Sequence, residues 1–150
     1  FDPGQGLPMF SGEELLRFAK AASYIAVNDY EGKMLEEKTG QSLPKLAEQV
    51  KALIVTRGAV GSTIYAGGRQ YDIPCVKASA IVDPTGCGDA YRAGLLYGIA
   101  HQWDWQACGQ LASVLGSIKI ASRGGQNHAL SRELVAKIHR EAFGSDPWQA

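Results

Sequence analysis

Apolar positions along the chain fall into two rhythms, one helical and one strand-like. Behind Ser11-Gly12-Glu13-Glu14, where Ser11 and Glu14 match a capping box, Leu15, Phe18, Ala19 and Ala22 recur at helical spacing and predict a helix with one apolar face. Tyr24 to Val27 is a short apolar run, read as a buried parallel strand that ends at Asn28-Asp29-Tyr30-Glu31. A helix is expected from Tyr30 to Lys38 and another from Ser42 to Val50, with Pro44 early, where it is tolerated. Ala52 to Thr56 is the next buried strand. Ser62–Ala66 and Arg69–Ile73, joined by Gly67-Gly68, read as a hairpin. Val76 to Val82 carries the chain extended into Asp83-Pro84-Thr85-Gly86-Cys87-Gly88-Asp89. Helices then follow over 86–101, from Trp105 to Ser122, and from Ser131 to near Gly144. Strands alternate with helices, so the fold class is α/β: three layers, a largely parallel sheet flanked by helices, and a β-hairpin at one edge.

Composition narrows the classes. The chain has 150 residues, 45% of them hydrophobic, which suits a single domain over 1–150 with a real core. Fifteen basic and fifteen acidic residues cancel, which disfavours nucleic acid or an anionic membrane as a partner held by net charge. No apolar stretch reaches membrane-spanning length. The three cysteines, Cys75, Cys87 and Cys108, have neither a zinc spacing nor an even count, which fits a reducing cytoplasm.

Chemistry concentrates in Asp83–Asp89. Gly86 and Gly88 strip side chains from the backbone where a helix begins, and the free N–H groups and helix dipole there suit an anion such as phosphate. Asp89 falls in the first turn. It reads either as an acid that complements the dipole or as a general base beside an anion hole. No Gly-x-x-x-x-Gly-Lys-Ser/Thr occurs, and Gly86-Cys87-Gly88 lacks the third glycine of a dinucleotide fingerprint.

This segment resembles the Asp-Thr-x-Gly-Ala-Gly-Asp signature of the ribokinase-like (PfkB-type) family of sugar and nucleoside kinases, with Pro84 and Cys87 as departures. Asn28-x-x-Glu31 resembles the family's Asn-x-x-Glu motif, and Thr56-Arg57-Gly58-Ala59-Val60-Gly61 its Thr-x-Gly-x-x-Gly stretch. The matches run in the family's order from Asn28 to Gln126. The resemblance implies a three-layer ribokinase-like fold and transfer of the γ-phosphoryl group of ATP to a hydroxyl of an adenosine-like nucleoside or a sugar. It implies Asp89 as base, the Gly86, Cys87 and Gly88 amides as the anion hole, and Mg2+ near Asn28 and Glu31, largely through water. Asn28, Thr56, Gly58, Gly61 and Ser113 are then expected along the nucleotide, Ser113 because its helix flanks the adenine pocket in the family. Asp83 and Thr85, with carbonyls from the Ser122–Gln126 loop (Gly125 among them), are candidates for a monovalent cation such as K+.

Each motif has a structural alternative. Asn28 and Glu31 suit a helix cap and its box, Thr56–Gly61 a glycine turn, and Gly94, Gly98, Gly109, Ser113 and Ser117 close helix packing. Arg57 reads as a phosphate partner or a solvent-facing side chain. Cys87 reads as a thiol activated by the helix start or as a small residue in alanine's place. The motifs fall after Val27, after Thr56 and after the extended run, beyond strand C-termini, where ligands gather in open parallel sheets.

The family's lid and di-glycine substrate motif are not found. The chain is therefore expected to be the C-terminal, ATP-binding and catalytic part of a longer kinase, partnered by its own N-terminal half. Apolar surface left by that half suggests a homodimer. The alternative function is a non-catalytic nucleotide-binding fragment or interaction module that retains the motifs.

Overall fold

A computed structural model describes residues 1–148 and divides the chain into two compact units, Phe1–Asp72 and Ile73 onward. In the first unit, Ser11 Oγ accepts from the Glu14 amide and Glu14 returns to the Ser11 amide at 2.8 Å, so α1 (Gly12–Ala21) starts on the expected capping box. Strand β1 (Tyr24–Asn28) runs into α2 (Asp29–Thr39), which stops at Gly40 in the left-handed region with φ 66°. Helix α3 covers only Leu43–Ala47, short of the expected Val50. Its end tightens because the Gln49 and Val50 amides reach back three residues, to Leu46 and Ala47.

The sheet continues with β2 (Ala52–Thr56), β3 (Ser62–Ala66) and β4 (Arg69–Ile73), in the order β1-β2-β3-β4. Strands β1 and β2 are parallel, in register from Tyr24↔Ala52 to Asn28↔Thr56, but β2 and β3 are antiparallel. The expectation of a largely parallel sheet is thereby corrected to a mixed one. Only Arg57 to Gly61 separates β2 from β3, far less than the dozen or so residues that a parallel crossover needs. Ile25 and Val27 of β1 and Leu53 and Val55 of β2 form one core with Leu15 and Ala19 of α1, Leu35 of α2 and Leu46 of α3. Burying each of the larger aliphatic side chains contributes about 1.5–3 kcal/mol.

In the second unit, the run from Val76 to Val82 joins no strand. Its amides go elsewhere: Val76 N–H donates to Ser113 Oγ, and Val82 and Asp83 N–H both donate to the Ile120 carbonyl. Three helices follow, α4 (Cys87–Ala100), α5 (Trp105–Ile120) and α6 (Arg132–Phe143). A β-carbon on Gly94 would lie 2.6 Å from Ala112 Cα, and one on Gly98 would lie 2.6 Å from Cys108 Sγ. The α4 glycines therefore let α5 approach almost to backbone contact. Leu111, Val114, Leu115 and Ile118 of α5 pack with Val135 of α6 to close the core of this unit.

Candidate functional site

The start of α4 is built by a turn. The Cys87 amide donates to the Pro84 carbonyl at 3.1 Å, and Gly86, with φ 79° and ψ 4°, has the dihedrals of a type II turn's third residue. Any β-carbon on Gly86 would stand 2.7 Å from the Gly125 carbonyl oxygen, so glycine is required for conformation and for space. The turn changes the expected donor set. Cys87 N–H is already committed, while the amides of Gly86, Gly88 and Asp89 have no hydrogen-bond partner among the described residues. Of the six α-helices described, α4 alone begins without a side-chain cap. The Asp89 carboxylate is exposed in its first turn and accepts no hydrogen bond among the described residues. Open amides beside a free carboxylate can bind an oxyanion and take a proton.

Two residues near this helix start escaped sequence reasoning. Arg92 lies over Gly88, where a β-carbon would be 2.8 Å from its Nη1; four-residue spacing on one helix face was the available signal. Lys119 is fully buried, and its ammonium donates to the carbonyls of Asp83 at 2.9 Å and Ser122 at 3.0 Å. A lone lysine in the apolar sequence of α5 was its signal.

Asp83 fastens the turn from the other side. Its Oδ1 accepts from the Thr85 amide at 2.9 Å and its Oδ2 from the Gly124 amide at 2.7 Å. These bonds, led by that from Thr85, pull its carboxyl down to about 2. Cys87 Sγ lies 3.8 Å from the Asp83 carbonyl, and burial pushes the thiol up rather than down. Of the two readings of Cys87, this favours the small residue in alanine's place over the activated thiol, because burial disfavours the thiolate. Ser113 Oγ accepts from Val76 N–H at 3.0 Å and donates to the Pro74 carbonyl at 2.9 Å, so its hydroxyl secures the 74–76 backbone on α5. A hollow of about 270 Å³ in this unit, lined by Ala93, Tyr97, Leu111, Leu115, Val135 and Trp148 among others, includes none of the expected site residues.

In the first unit, Asn28 and Thr56 are direct register partners at the C-terminal ends of the parallel strands. Asn28 Oδ1 accepts from Glu31 N–H at 2.7 Å, and Glu31 Oε2 accepts from Asn28 N–H at 2.9 Å, so the pair forms a complete capping box. The second oxygen of Glu31 and the Asn28 amide nitrogen stay outside it. Gly58 and Gly61 take φ 52° and 106° around a single 3-10 turn, and Arg57 N–H closes onto the Gly61 carbonyl at 2.8 Å. The Arg57 guanidinium reaches Thr63 Oγ1 in the hairpin through Nη2, and Thr63 in turn donates to Asp72 at 2.6 Å, so this half-buried side chain is tied to the hairpin through one of its nitrogens. Among the described residues no group of three His, Cys, Asp or Glu could hold a metal ion. One free carboxylate oxygen beside an amide still suits Mg2+, which keeps most of its waters and binds phosphates.

The structure thus gathers Asn28, Glu31 and Thr56 in one unit, and Asp83, Thr85, Gly86 and Gly125 in the other. No helix among the described residues is long and apolar enough to cross a membrane.

The sequence profile of the family described as "pfkB family carbohydrate kinase" matches residues 1–132. The nucleoside kinase of Methanocaldococcus jannaschii is 37% identical over 85% of this chain and 42% of its own length. That of Thermoplasma acidophilum is 31% identical over 89% of this chain and 44% of its own. Among solved structures, Burkholderia thailandensis nucleoside kinase in complex with inosine superposes with a TM-score of 0.95 at 51% identity, covering 98% of this chain and 48% of that one. The chain therefore spans about half the length of the relatives it matches.

Proposed function

The chain belongs to the pfkB family of carbohydrate kinases, and from that premise we propose that it is the nucleotide-handling and phosphate-transferring part of an ATP-dependent nucleoside kinase. A nucleoside acceptor is favoured over a sugar by the relatives named nucleoside kinase, and by the Burkholderia thailandensis structure in complex with ADP-inosine. One observation carries the reading. At the start of α4 three amides stand open beside the exposed Asp89 carboxylate, whereas each of the other five described α-helices is capped by a side chain.

In the proposed reaction the acceptor hydroxyl gives its proton to Asp89 while its oxygen bonds to the γ-phosphorus, and the bond from that phosphorus to the bridging oxygen breaks. The amides of Gly86, Gly88 and Asp89 meet the charge on the transferring group, and losing one such donor costs about 3–4 kcal/mol. Asn28, Thr56, Gly58 and Gly61 are assigned to the nucleotide. Glu31 and Asn28 would hold Mg2+ through water, and the ion would neutralise phosphate charge. Ser113 is assigned a supporting place, holding the 74–76 segment.

The test is phosphate transfer from ATP by the full-length protein, compared across purine nucleosides, pyrimidine nucleosides, pentoses and hexoses. A nucleoside should show the highest kcat/KM. A sugar turned over faster would move the acceptor class, and ATP binding without transfer to any acceptor would leave a nucleotide-binding module.

A further inference from the structure

Lys119 has 0% of its surface exposed. An ammonium so placed is costly unless oxygen atoms replace its water. Two carbonyls do so, and they come from segments far apart in sequence: Asp83, on the approach to α4, and Ser122, just past α5. The charge sits in the last turn of α5, where the helix dipole favours a cation. Around it the same two segments are joined twice more. Asp83 carries the Thr85 amide on one carboxylate oxygen and the Gly124 amide on the other, and Gly86 lies against Gly125.

A monovalent cation bound by Asp83, Thr85 and Gly125 does not fit these residues. Both carboxylate oxygens of Asp83 already accept from amides, and the Asp83 carbonyl is given to the ammonium. An added K+ would need oxygen ligands that are committed, and would meet a like charge beside them.

We propose, resting on the kinase reading above, that Lys119 is a positioning residue whose tethered ammonium takes the place of a monovalent cation. It locks the Asp83–Gly86 turn to the Ser122–Gly125 loop and so holds the open amides of α4 in place. Phosphate transfer by this protein is then independent of potassium and sodium.

The first measurement needs no variant. Initial rates of the full-length protein in choline, sodium, potassium and ammonium chlorides at one ionic strength should agree within about two-fold. A rise of about ten-fold or more with potassium overturns the proposal. Melting temperatures in potassium and choline should also coincide, since a cation that binds only the folded state would raise the former.

Lys119→Met removes the charge and keeps the chain length. It should lower kcat about ten-fold or more, with the KM for ATP moved less than about three-fold. Hydrogen exchange at the Thr85 and Gly124 amides should quicken, and added ammonium or potassium should restore both rate and protection. Unchanged exchange, or loss that no cation restores, overturns the proposal, whereas a packing defect alone would not respond to cations. Exchange needs no turnover. If no acceptor is phosphorylated, the kinase reading falls while the ammonium lock is still decided. Where the Met variant does not fold, the salt series on the unaltered protein decides alone.

Discussion

The starts of α2 and α4 carry the same ingredients and use them in opposite ways. Each follows a motif expected to touch phosphate, and each has an acid in its first turn, Glu31 or Asp89. At α2 the acid turns back onto the Asn28 amide, the Asn28 side chain takes the Glu31 amide, and the helix end is closed. At α4 the N-cap is glycine, and among the described residues no side chain caps the end and the exposed acid accepts no hydrogen bond from its own backbone. A capping box stabilises a helix without any ligand; an uncapped start gives up that stability and leaves its donors for something else. The contrast is sharpest in the two acids. Asp89→Asn in the full-length protein should reduce turnover about 10²–10⁴-fold while ATP affinity stays within a few-fold. Isothermal titration and steady-state rates would check this, and near-normal turnover would remove Asp89 from the chemistry.

Gly86 gives the next largest effect, because the open start depends on a conformation only glycine takes easily. Gly86→Ala would hold a β-carbon at φ 79° and push it into the Gly125 carbonyl. The left-handed backbone alone costs about 1–2 kcal/mol. Displacing the turn should also cost turnover about 10²-fold, comparable with losing one oxyanion donor. If kcat is kept while the melting temperature drops, the turn is a structural element and the donors act elsewhere.

Glu31 separates the two uses of a first-turn acid within one residue. Glu31→Ala keeps the Asn28 cap but loses the return bond to the Asn28 amide, and should cost about 0.5–1.5 kcal/mol of unfolding free energy, the usual net worth of one hydrogen bond. Glu31→Gln can still close the box, since glutamine serves at that position. Stability should then be retained while the Mg2+ concentration needed for half-maximal rate rises. Equal Mg2+ dependence in both proteins would reduce Glu31 to a cap.

Much of this was legible in the chain because it rests on local rules. The Ser11–Glu14 box, the apolar runs of β1 and β2, and the glycine-marked hairpin follow from spacing and residue type. The mixed sheet was legible too, had the short Arg57–Gly61 connection been weighed against the length of a crossover. What spacing could not reveal are ties over long sequence separation. The Lys119 ammonium on Asp83 spans 36 residues, and the Asp83 carboxylate on Gly124 spans 41. The Ser113 hydroxyl on the 74–76 backbone is of the same kind. The Cys87 amide was missed for a different reason: whether an N–H near a helix start is free depends on one turn's dihedrals, which residue type alone does not set.

Asp83 offers a pH test of those ties. Its folded carboxyl lies at about 2, below the ordinary 3.8, so folding favours its charged form. The stabilising contribution is complete above the unfolded value and is lost as pH falls from near 3.8 toward 2. Exchange protection of the Thr85 and Gly124 amides should therefore be flat from neutral pH to about 5 and weaken below 4, once intrinsic rates are allowed for. Asp83→Asn should remove that dependence. A profile unchanged by the substitution would place the acid sensitivity elsewhere.

Cys87 is where the α4 start should matter least, although it stands at its centre. Its amide is closed onto Pro84, its thiol is pushed up by burial, and its sulfur rests 3.8 Å from the Asp83 carbonyl. Only a thiolate attacks an alkylating reagent at a useful rate, so Cys87 should label slowly at neutral pH, and faster only as pH passes above 9. Cys75, which is exposed, should be modified first. Cys87→Ala restores the family's usual residue and should leave kcat within about two-fold, because the substitution keeps the backbone donors and the Pro84 turn. Mass-spectrometric mapping after limited iodoacetamide treatment would check the order. Labelling of Cys87 ahead of Cys75 would mean that the positive end of α4 reaches the sulfur after all, and that the dipole acts on the protein's own side chain as well as on an incoming anion.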